Sequence, residues 1–314
     1  MREFDKGTIR KIIDRCLELY PCDVDIRFNE PMKNHTTFKV GGNADCFLRP
    51  QGENFPLFSA ALFKYARDAS IPVFILGGGA NIVVSDAGIR GIVLDTGGWK
   101  GCAVTEDGLV VKSGTSMDET AEFAACAGLR GLEFLAGMPG SIGGAVWMNA
   151  RCYGSEIADV LAWAEIVGNE RLVVSPEGVG FGYKLSPFQK MDALILWACF
   201  NLTSGEEGAI RGEMEKNRRD RQEKGHYLFP CAGSAFKNNR EFGKPTGQII
   251  DELGLRGFQL GGAQVAPFHG NIVINTAGAT AADIRALTGE VAARVKAATG
   301  FVLEPEILFV GDFL

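Results

Sequence analysis

The chain has 314 residues, with 32 Lys and Arg against 38 Asp and Glu, a formal charge of −6 and a pI of about 5.3. That balance argues against a nucleic-acid binder, which carries a basic surplus. Hydrophobic residues make up 46% and charged residues 22%, so disorder is excluded and two or three folded domains are expected. No uncharged apolar run, Ala193 to Leu202 included, reaches the roughly 20 residues of a membrane helix. MREFDKGTIRK opens with no apolar segment behind its charges, so a secreted precursor is not expected.

In chain order, Ile9, Ile12, Ile13, Cys16, Leu17 and Tyr20 recur at helical spacing and Pro21 ends the pattern, which predicts a packing helix over 5–20. Short β-like runs follow at Asp45–Leu48, Val73–Leu76 and Ile92–Asp95, with a helix over Pro56–Ala69 between the first two. CAVTEDGLVVKSG predicts a hairpin turning at Asp107-Gly108. Ser116 and Glu119 form a capping box for a helix running to Cys126. A second hairpin is expected over Val160–Val174 and an apolar strand over Ala193–Leu202. The charged stretch 206–224 reads as a connecting surface helix at a domain boundary. The last part holds a helix near Thr246–Leu253, a strand at Asn271–Asn275, a Thr280-capped helix ended by Gly300, and a strand over Phe301–Val310.

Eight scattered cysteines form no CxxC pair, which removes zinc-ribbon and thioredoxin readings and fits buried thiols in a reducing cytoplasm. His35, His226 and His269 lie far apart in the sequence and in no metal-binding pattern, so no metal is expected and a structural hydrogen bond is the default role. The one compositional anomaly is glycine, 41 of 314 residues, about 13% against a usual value of about 7%.

Two glycine-rich loops concentrate the candidate chemistry. ILGGGANIVVSD places Gly77, Gly78 and Gly79, then Ala80, Asn81 and Ile82, directly after an apolar strand, where backbone amides could meet a phosphate. It opens no helix and no GK[ST] follows, so it is neither a dinucleotide fingerprint nor a P-loop, and a tight interstrand turn explains it equally well. The second stretch carries Gly137, Pro139, Gly140, Ser141, Gly143 and Gly144. Two such loops suit one long ligand with a diphosphate, FAD better than a mononucleotide, and neither holds a histidine for a covalent flavin bond. Two unrelated turns are the alternative.

PCAGSAFKN sets Ser234 between small residues, with Lys237 and Asn238 after it, and no GxSxG elbow surrounds it. On spacing alone it is a serine in a turn. LEPEILF alternates so that Glu304 and Glu306 share one strand face, either an acid and base pair or a solvated edge. FGYKLSPF mixes Tyr183, Lys184 and Ser186 between apolar anchors.

Taken in order, NHTTFKVGG, ILGGGANIVVSD, AGMPGSIGGAVWMNA with YGSEI, FGYKLSPF, PCAGSAFKN, LGGAQVAPFHGNIVIN and LEPEILFVG resemble the UDP-N-acetylenolpyruvoylglucosamine reductase family over nearly the whole chain. The short span between Lys184 and Ser234 is similar to the family type without an inserted tyrosine-bearing loop. The resemblance implies an α+β chain: an N-terminal helical segment (1–27), then a two-part FAD-binding domain of the vanillyl-alcohol-oxidase (PCMH) type (28–204, subdomains about 28–98 and 99–204). A smaller α/β substrate-binding domain follows (205–314). It also implies noncovalent FAD on Gly77–Ile82 and Gly137–Gly144, NADPH as reductant, Ser234 as proton donor, Glu306 as acidic partner, and substrate contacts from Tyr183, Lys237 and Asn238. Lys184 stands where the family has an arginine in FGYRxSxF. Arg151 replaces a residue that is small in NAxxYG.

The implied reaction is ping-pong. NADPH reduces the flavin and leaves, and hydride then passes to the β-carbon of the enolpyruvyl ether of UDP-N-acetylglucosamine. Lys184 and a protonated Glu306 would stabilise the charge that develops before Ser234 protonates the α-carbon. The product, UDP-N-acetylmuramate, is a peptidoglycan precursor, which ties the activity to cell wall biogenesis, cell shape, cell cycle and cell division. The expected protein is cytoplasmic, a monomer or weak dimer, with a small-molecule partner and no nucleic acid or membrane span. Another FAD oxidoreductase of the same fold, or a non-catalytic UDP-sugar-binding paralogue, are the alternatives.

Overall fold

The computed structural model describes residues 4–168, 170–178 and 180–313. Seven α-helices among them are α1 (Lys6–Leu19), α2 (Phe55–Asp68), α3 (Met117–Cys126), α4 (Ile142–Met148), α5 (Glu207–Glu223), α6 (Thr246–Glu252) and α7 (Ala281–Thr299). The chain divides into two compact units. The first takes in Met1–Glu30, Asp45–Gly78 and Arg90–Arg219, and the second Pro31–Ala44, Gly79–Ile89 and Asp220–Leu314.

The first unit contains two sheets. One orders its strands Asp23–Pro31, Asn43–Gln51, Ile89–Asp95, Val73–Leu76, with the last two parallel. Its apolar side chains meet Ile9, Ile13 and Cys16 of α1 and Phe58 and Leu62 of α2, all fully buried. Asp5 caps α1 by accepting from the Thr8 amide at 2.9 Å. The other sheet has five antiparallel strands, ordered Arg171–Val174, Leu161–Val167, Leu194–Phe200, Gly108–Lys112, Cys102–Thr105. It packs against α3 and α4 through Ala121, Ala125, Ile142 and Val146. The capping box of α3 is complete, with Ser116 Oγ accepting from the Glu119 amide at 3.1 Å and Glu119 accepting from the Ser116 amide at 3.0 Å.

The second unit has a four-stranded sheet in the order Cys231–Ser234, Ile272–Asn275, Ala263–Val265, Gln259–Leu260. Ile284, Leu287, Val291 and Val295 of α7 and Ile249 and Ile250 of α6 fill its core. Strands Ile82–Val84 and Leu308–Val310 pair in parallel beside it. Thr280 caps α7 at its start, and Gly300, at φ 79°, ends it.

Several expectations need correction. The first hairpin turns one residue early, with Thr105 paired to Gly108 and Glu106-Asp107 at the tip. The strand expected over Phe301–Val310 is confined to Leu308–Val310, because Pro305 interrupts it and only a Phe236–Pro305 bridge forms there. Glu304 and Glu306 therefore share no strand face: Glu304 is exposed and Glu306 is buried. The connecting helix α5 is not wholly at the surface, since it buries Ile210, Met214, Asn217 and Arg221 at helical spacing. Of the eight cysteines three are buried, four half-buried, and Cys126 is exposed. Burial pushes the thiols of Cys16 and Cys46 up to about 12. Strand Asp23–Pro31 and helix α4 were not foreseen, the one because its pattern is polar, the other because its glycines read as loop.

Candidate active site

In the first unit the two glycine loops rest on each other. Gly77 and Gly78 leave strand Val73–Leu76, whose last carbonyl, on Leu76, accepts from Thr96 Oγ1 at 3.1 Å. Ser141, buried at the N-cap of α4, accepts through one hydroxyl oxygen from the Gly78 amide at 3.2 Å and from the Gly144 amide at 3.4 Å. A Cβ on Gly78 would come within 2.5 Å of Gly140 Cα, and one on Gly77 within 2.5 Å of Ser141 Oγ. The glycines are thus required first for loop-on-loop contact. The second loop is anchored in turn: the Gly137 amide donates to Asp118 at 2.7 Å, Met117 donates to the Gly140 carbonyl, and Gly143 donates to the Ser113 carbonyl at 2.8 Å. Asp118 is itself held by Arg218 of α5 at 2.8 Å.

The outcome is an open rim of backbone. Gly78, Pro139 and Gly144 are exposed around the buried Ser141, and without a Cβ on the two glycines a ligand can approach their backbone closely.

In the same unit, Tyr183 and Lys184 form the tip of a two-residue turn closed by Gly182 and Leu185, whose amides and carbonyls bond each other at 3.0 and 3.1 Å. Lys184 has φ 56°, in the left-handed region. The Lys184 carbonyl accepts from Gln189 Nε2 at 3.1 Å, and Gln189 also reaches the Trp147 carbonyl at the end of α4. Ser186 Oγ donates to that same carbonyl at 2.6 Å.

The second unit holds the other candidates. Gly79, at φ 63°, fits against the segment 35–37: its Cβ would lie 2.0 Å from the His35 carbonyl oxygen, and its own carbonyl accepts from the Thr37 amide at 3.1 Å. Ala80 is half-buried. Asn81 Nδ2 donates to the Glu306 carbonyl at 3.0 Å, the Leu308 amide donates to the Asn81 carbonyl, and Ile82 pairs with Leu308. Gly79 to Ile82 are thus tied to the segment that carries Glu306.

Ser234 ends strand Cys231–Ser234, opposite Ile272. The next residue, Ala235, offers its carbonyl to the Glu306 amide at 2.8 Å, and Lys237 donates to the Glu304 carbonyl at 2.9 Å. Those two bonds flank the Phe236–Pro305 bridge, so the structure brings the segments of Ser234 and Glu306 side by side. Asn271 holds the Ser234 segment, accepting from the Phe236 amide at 3.0 Å and donating to the Phe236 carbonyl at 2.8 Å; the strand there is legible in the sequence, this pair of bonds is not. Lys237 Nζ pairs with Glu304 at 2.5 Å. Asn238 Oδ1 accepts from the Thr246 amide at 2.9 Å, so it anchors α6.

His226 and His269, distant in sequence, have ring centroids 6.1 Å apart. His269 Nδ1 accepts from the Asn271 amide at 3.1 Å, whereas the buried Nδ1 of His226 has no partner. Burial, then the charges of Arg221 and His269, push His226 down to about 4. Burial also lowers His269, with Arg256 and Lys224 adding to it. Among the described residues no group of three or more His, Cys, Asp or Glu could hold a metal ion.

Residues 59–171 match the family model of an FAD-binding domain, which is where both the Gly77–Gly78 turn and the Gly137–Gly144 loop lie. The class this defines is an FAD-dependent oxidoreductase on the two-part flavin domain, with a second domain following in the sequence. Residues 223–310 match the model described as the C-terminal domain of UDP-N-acetylenolpyruvoylglucosamine reductase. The reductase of Borrelia garinii is 40% identical over 285 residues, 88% of this chain and 91% of that protein. That of Treponema denticola is 39% identical over 309 residues, 92% of this chain and 94% of that protein. The crystal structure of the reductase from Thermus caldophilus aligns with a TM-score of 0.76 at 30% identity, covering 92% of this chain and 100% of that one. The chain belongs to the UDP-N-acetylenolpyruvoylglucosamine reductase family.

Proposed function

We propose that the protein reduces the enolpyruvyl ether of UDP-N-acetylglucosamine to UDP-N-acetylmuramate for peptidoglycan synthesis, with NADPH as reductant. The observation that carries this reading is the pair of glycine loops joined through Ser141 Oγ in a chain of this family. Gly77, Gly78, Gly79, Ala80, Asn81 and Ile82, with Gly137, Pro139, Gly140, Ser141, Gly143 and Gly144, hold noncovalent FAD. Bound there, FAD would supply the hydride chemistry at the enolpyruvyl double bond, with NADPH as the source of its electrons. Residues 28–204 carry the cofactor and 205–314 the substrate, a division supported by the two matched segments.

The chain's own side chains do the rest. Charge grows on the α-carbon and carboxylate as the hydride arrives. The Lys184 ammonium stabilises it and Glu306 is the acidic partner, while Ser234 delivers the proton to the α-carbon. Support for the last two is the backbone ladder that sets Ala235 against Glu306. Tyr183, Lys237 and Asn238 contact the nucleotide sugar. Lys237 does so while paired to Glu304, and Asn238 while its oxygen holds the Thr246 amide. The reaction is cytoplasmic, as suits a free nucleotide-sugar precursor, is run by a monomer or weak dimer, and serves cell shape, the cell cycle and division.

The test follows bound flavin in a stopped-flow spectrometer. NADPH should bleach it and the enolpyruvyl nucleotide should restore the colour. Ser234→Ala should leave bleaching near wild type and slow the return, since only the second step needs a proton on carbon. Lys184→Met should slow the return by about 10²-fold, the scale of a lost electrostatic donor, and Lys184→Arg should keep it. A protein that bleaches but never recovers colour with this substrate refutes the reading.

A further inference from the structure

Behind the Lys184 turn stands a polar residue with no assigned role. Asn149 is fully buried and caps α4 with φ 45°. A side-chain amide has two N–H donors and one carbonyl, and all are engaged. Nδ2 donates to the Gly182 carbonyl at 2.9 Å and to Glu156 Oε1 at 3.2 Å, and Oδ1 accepts from the Ala158 amide at 3.0 Å. The other Glu156 oxygen takes Arg151 Nη1 at 3.3 Å. The Arg151 guanidinium carbon in turn lies 5.9 Å from the centre of the Tyr183 ring. Asn149 thus grips the first residue of the turn, and Arg151 lies against its second.

The third residue is Lys184, and its left-handed backbone, at φ 56°, is strained in a residue with a Cβ. Such a conformation persists only where neighbours impose it. The supports come from the end of α4: Asn149 on Gly182, and the Trp147 carbonyl on Ser186 and Gln189. Glu156 orients Asn149 from behind, since an amide with both donors fixed cannot rotate.

We propose that Asn149 is a positioning residue for Lys184, acting through the Gly182 carbonyl, with Glu156 and Arg151 as its outer braces. The inference rests on the role given to Lys184 above. Glycine accepts left-handed backbone without penalty, so Asn149→Gly removes the side-chain bonds and leaves the α4 cap unstrained.

Asn149→Gly should retain flavin and bleach with NADPH at the wild-type rate. Colour return should slow at least tenfold, because a displacement of about 1 Å in a charged group costs that or more. Amide exchange over 182–185 should quicken in the same variant, with no substrate present. The deciding measurement is the cycle with Lys184→Met. If Asn149 works through Lys184, Asn149→Gly slows colour return less than twofold in the Lys184→Met background, while the loss of melting temperature is the same in both backgrounds. Equal slowing in the two backgrounds overturns the positioning role and leaves the Lys184 assignment standing. Normal colour return in Lys184→Met alone overturns the assignment, and the positioning role with it. Where Asn149→Gly does not fold, Glu156→Gln gives the same cycle, since it removes the charge on which Arg151 rests and weakens the acceptor that fixes Asn149.

Discussion

The buried edge of the His226 ring carries a polar atom at a cost to the fold. Its Nδ1 has no partner, and burial beside Arg221 and His269 holds its pKa at about 4, against about 6.5 in an unfolded chain. Between those values the unfolded chain binds a proton that the native chain refuses, so stability is full above pH 6.5 and declines as pH falls toward 4. His226→Phe, which cannot titrate and leaves no unpartnered nitrogen, should lose less urea midpoint between pH 7.5 and 4.5 than wild type. Identical losses would show that His226 does not drive the acid sensitivity. The proximity of His226 to His269 was not legible in the sequence, because nothing local links two residues on separate loops. Glu304 and Glu306 failed differently. Alternation put them on one face, but Pro305 breaks the ladder, so one carboxylate goes out to Lys237 and the other goes in. Lys184 was legible as a departure from a motif, whereas its φ of 56° was not, since lysine carries no signal for that backbone.

At the scale of elements, helices with explicit caps were read nearly to the residue: Ser116 with Glu119 for α3, Thr280 and Gly300 for α7. Strands with apolar runs fared as well. Helix α4 was hidden because IGGAVWM opens on glycines of low helix propensity; Ser141 caps it and the core holds it. The glycine loops themselves were legible as a site, but the reason for their glycines changes. A sequence reader assigns the missing Cβ to phosphate approach, whereas Gly78 is pressed on Gly140 at a distance no Cβ tolerates. The two reasons make opposite forecasts. Gly78→Ala should weaken FAD binding tenfold or more by parting the loops. Gly144→Ala, whose Cβ would meet only Ser141 Oγ at 3.5 Å, should bind FAD nearly as wild type. Titration of the apoproteins with FAD, followed by flavin fluorescence, decides it: equal weakening by both substitutions would restore phosphate approach as the reason.

The molecule as a whole is assembled from pieces that the chain order does not group. Segments 31–44 and 79–89 belong with the C-terminal residues, and the division after them falls inside α5, behind Arg219. Strand Ile82–Val84 finds its partner only at Leu308–Val310, a pairing no local pattern announces. For the whole chain, the candidate cofactor loop of the first unit, Gly137 to Gly144 with Gly77 and Gly78 beside it, has a consequence for stability. A ligand held by that loop binds native chain and not unfolded chain, so it must stabilise by mass action. Each tenfold rise in free FAD above its dissociation constant adds about 1.4 kcal/mol, and a hundredfold excess about 2.7 kcal/mol. With unfolding entropy of about 2 cal/mol/K per residue, a chain of 314 residues should gain about 2 °C in melting temperature per decade of FAD and about 4 °C at the hundredfold excess. AMP at the same concentrations lacks the diphosphate bridge and the isoalloxazine and should shift the transition far less. The slope against the logarithm of FAD concentration can be read by scanning calorimetry on the apoprotein. A melting temperature that ignores FAD would mean that the cradle does not bind it in the native state, and a slope matched by AMP would mean that the loops recognise the adenylate alone.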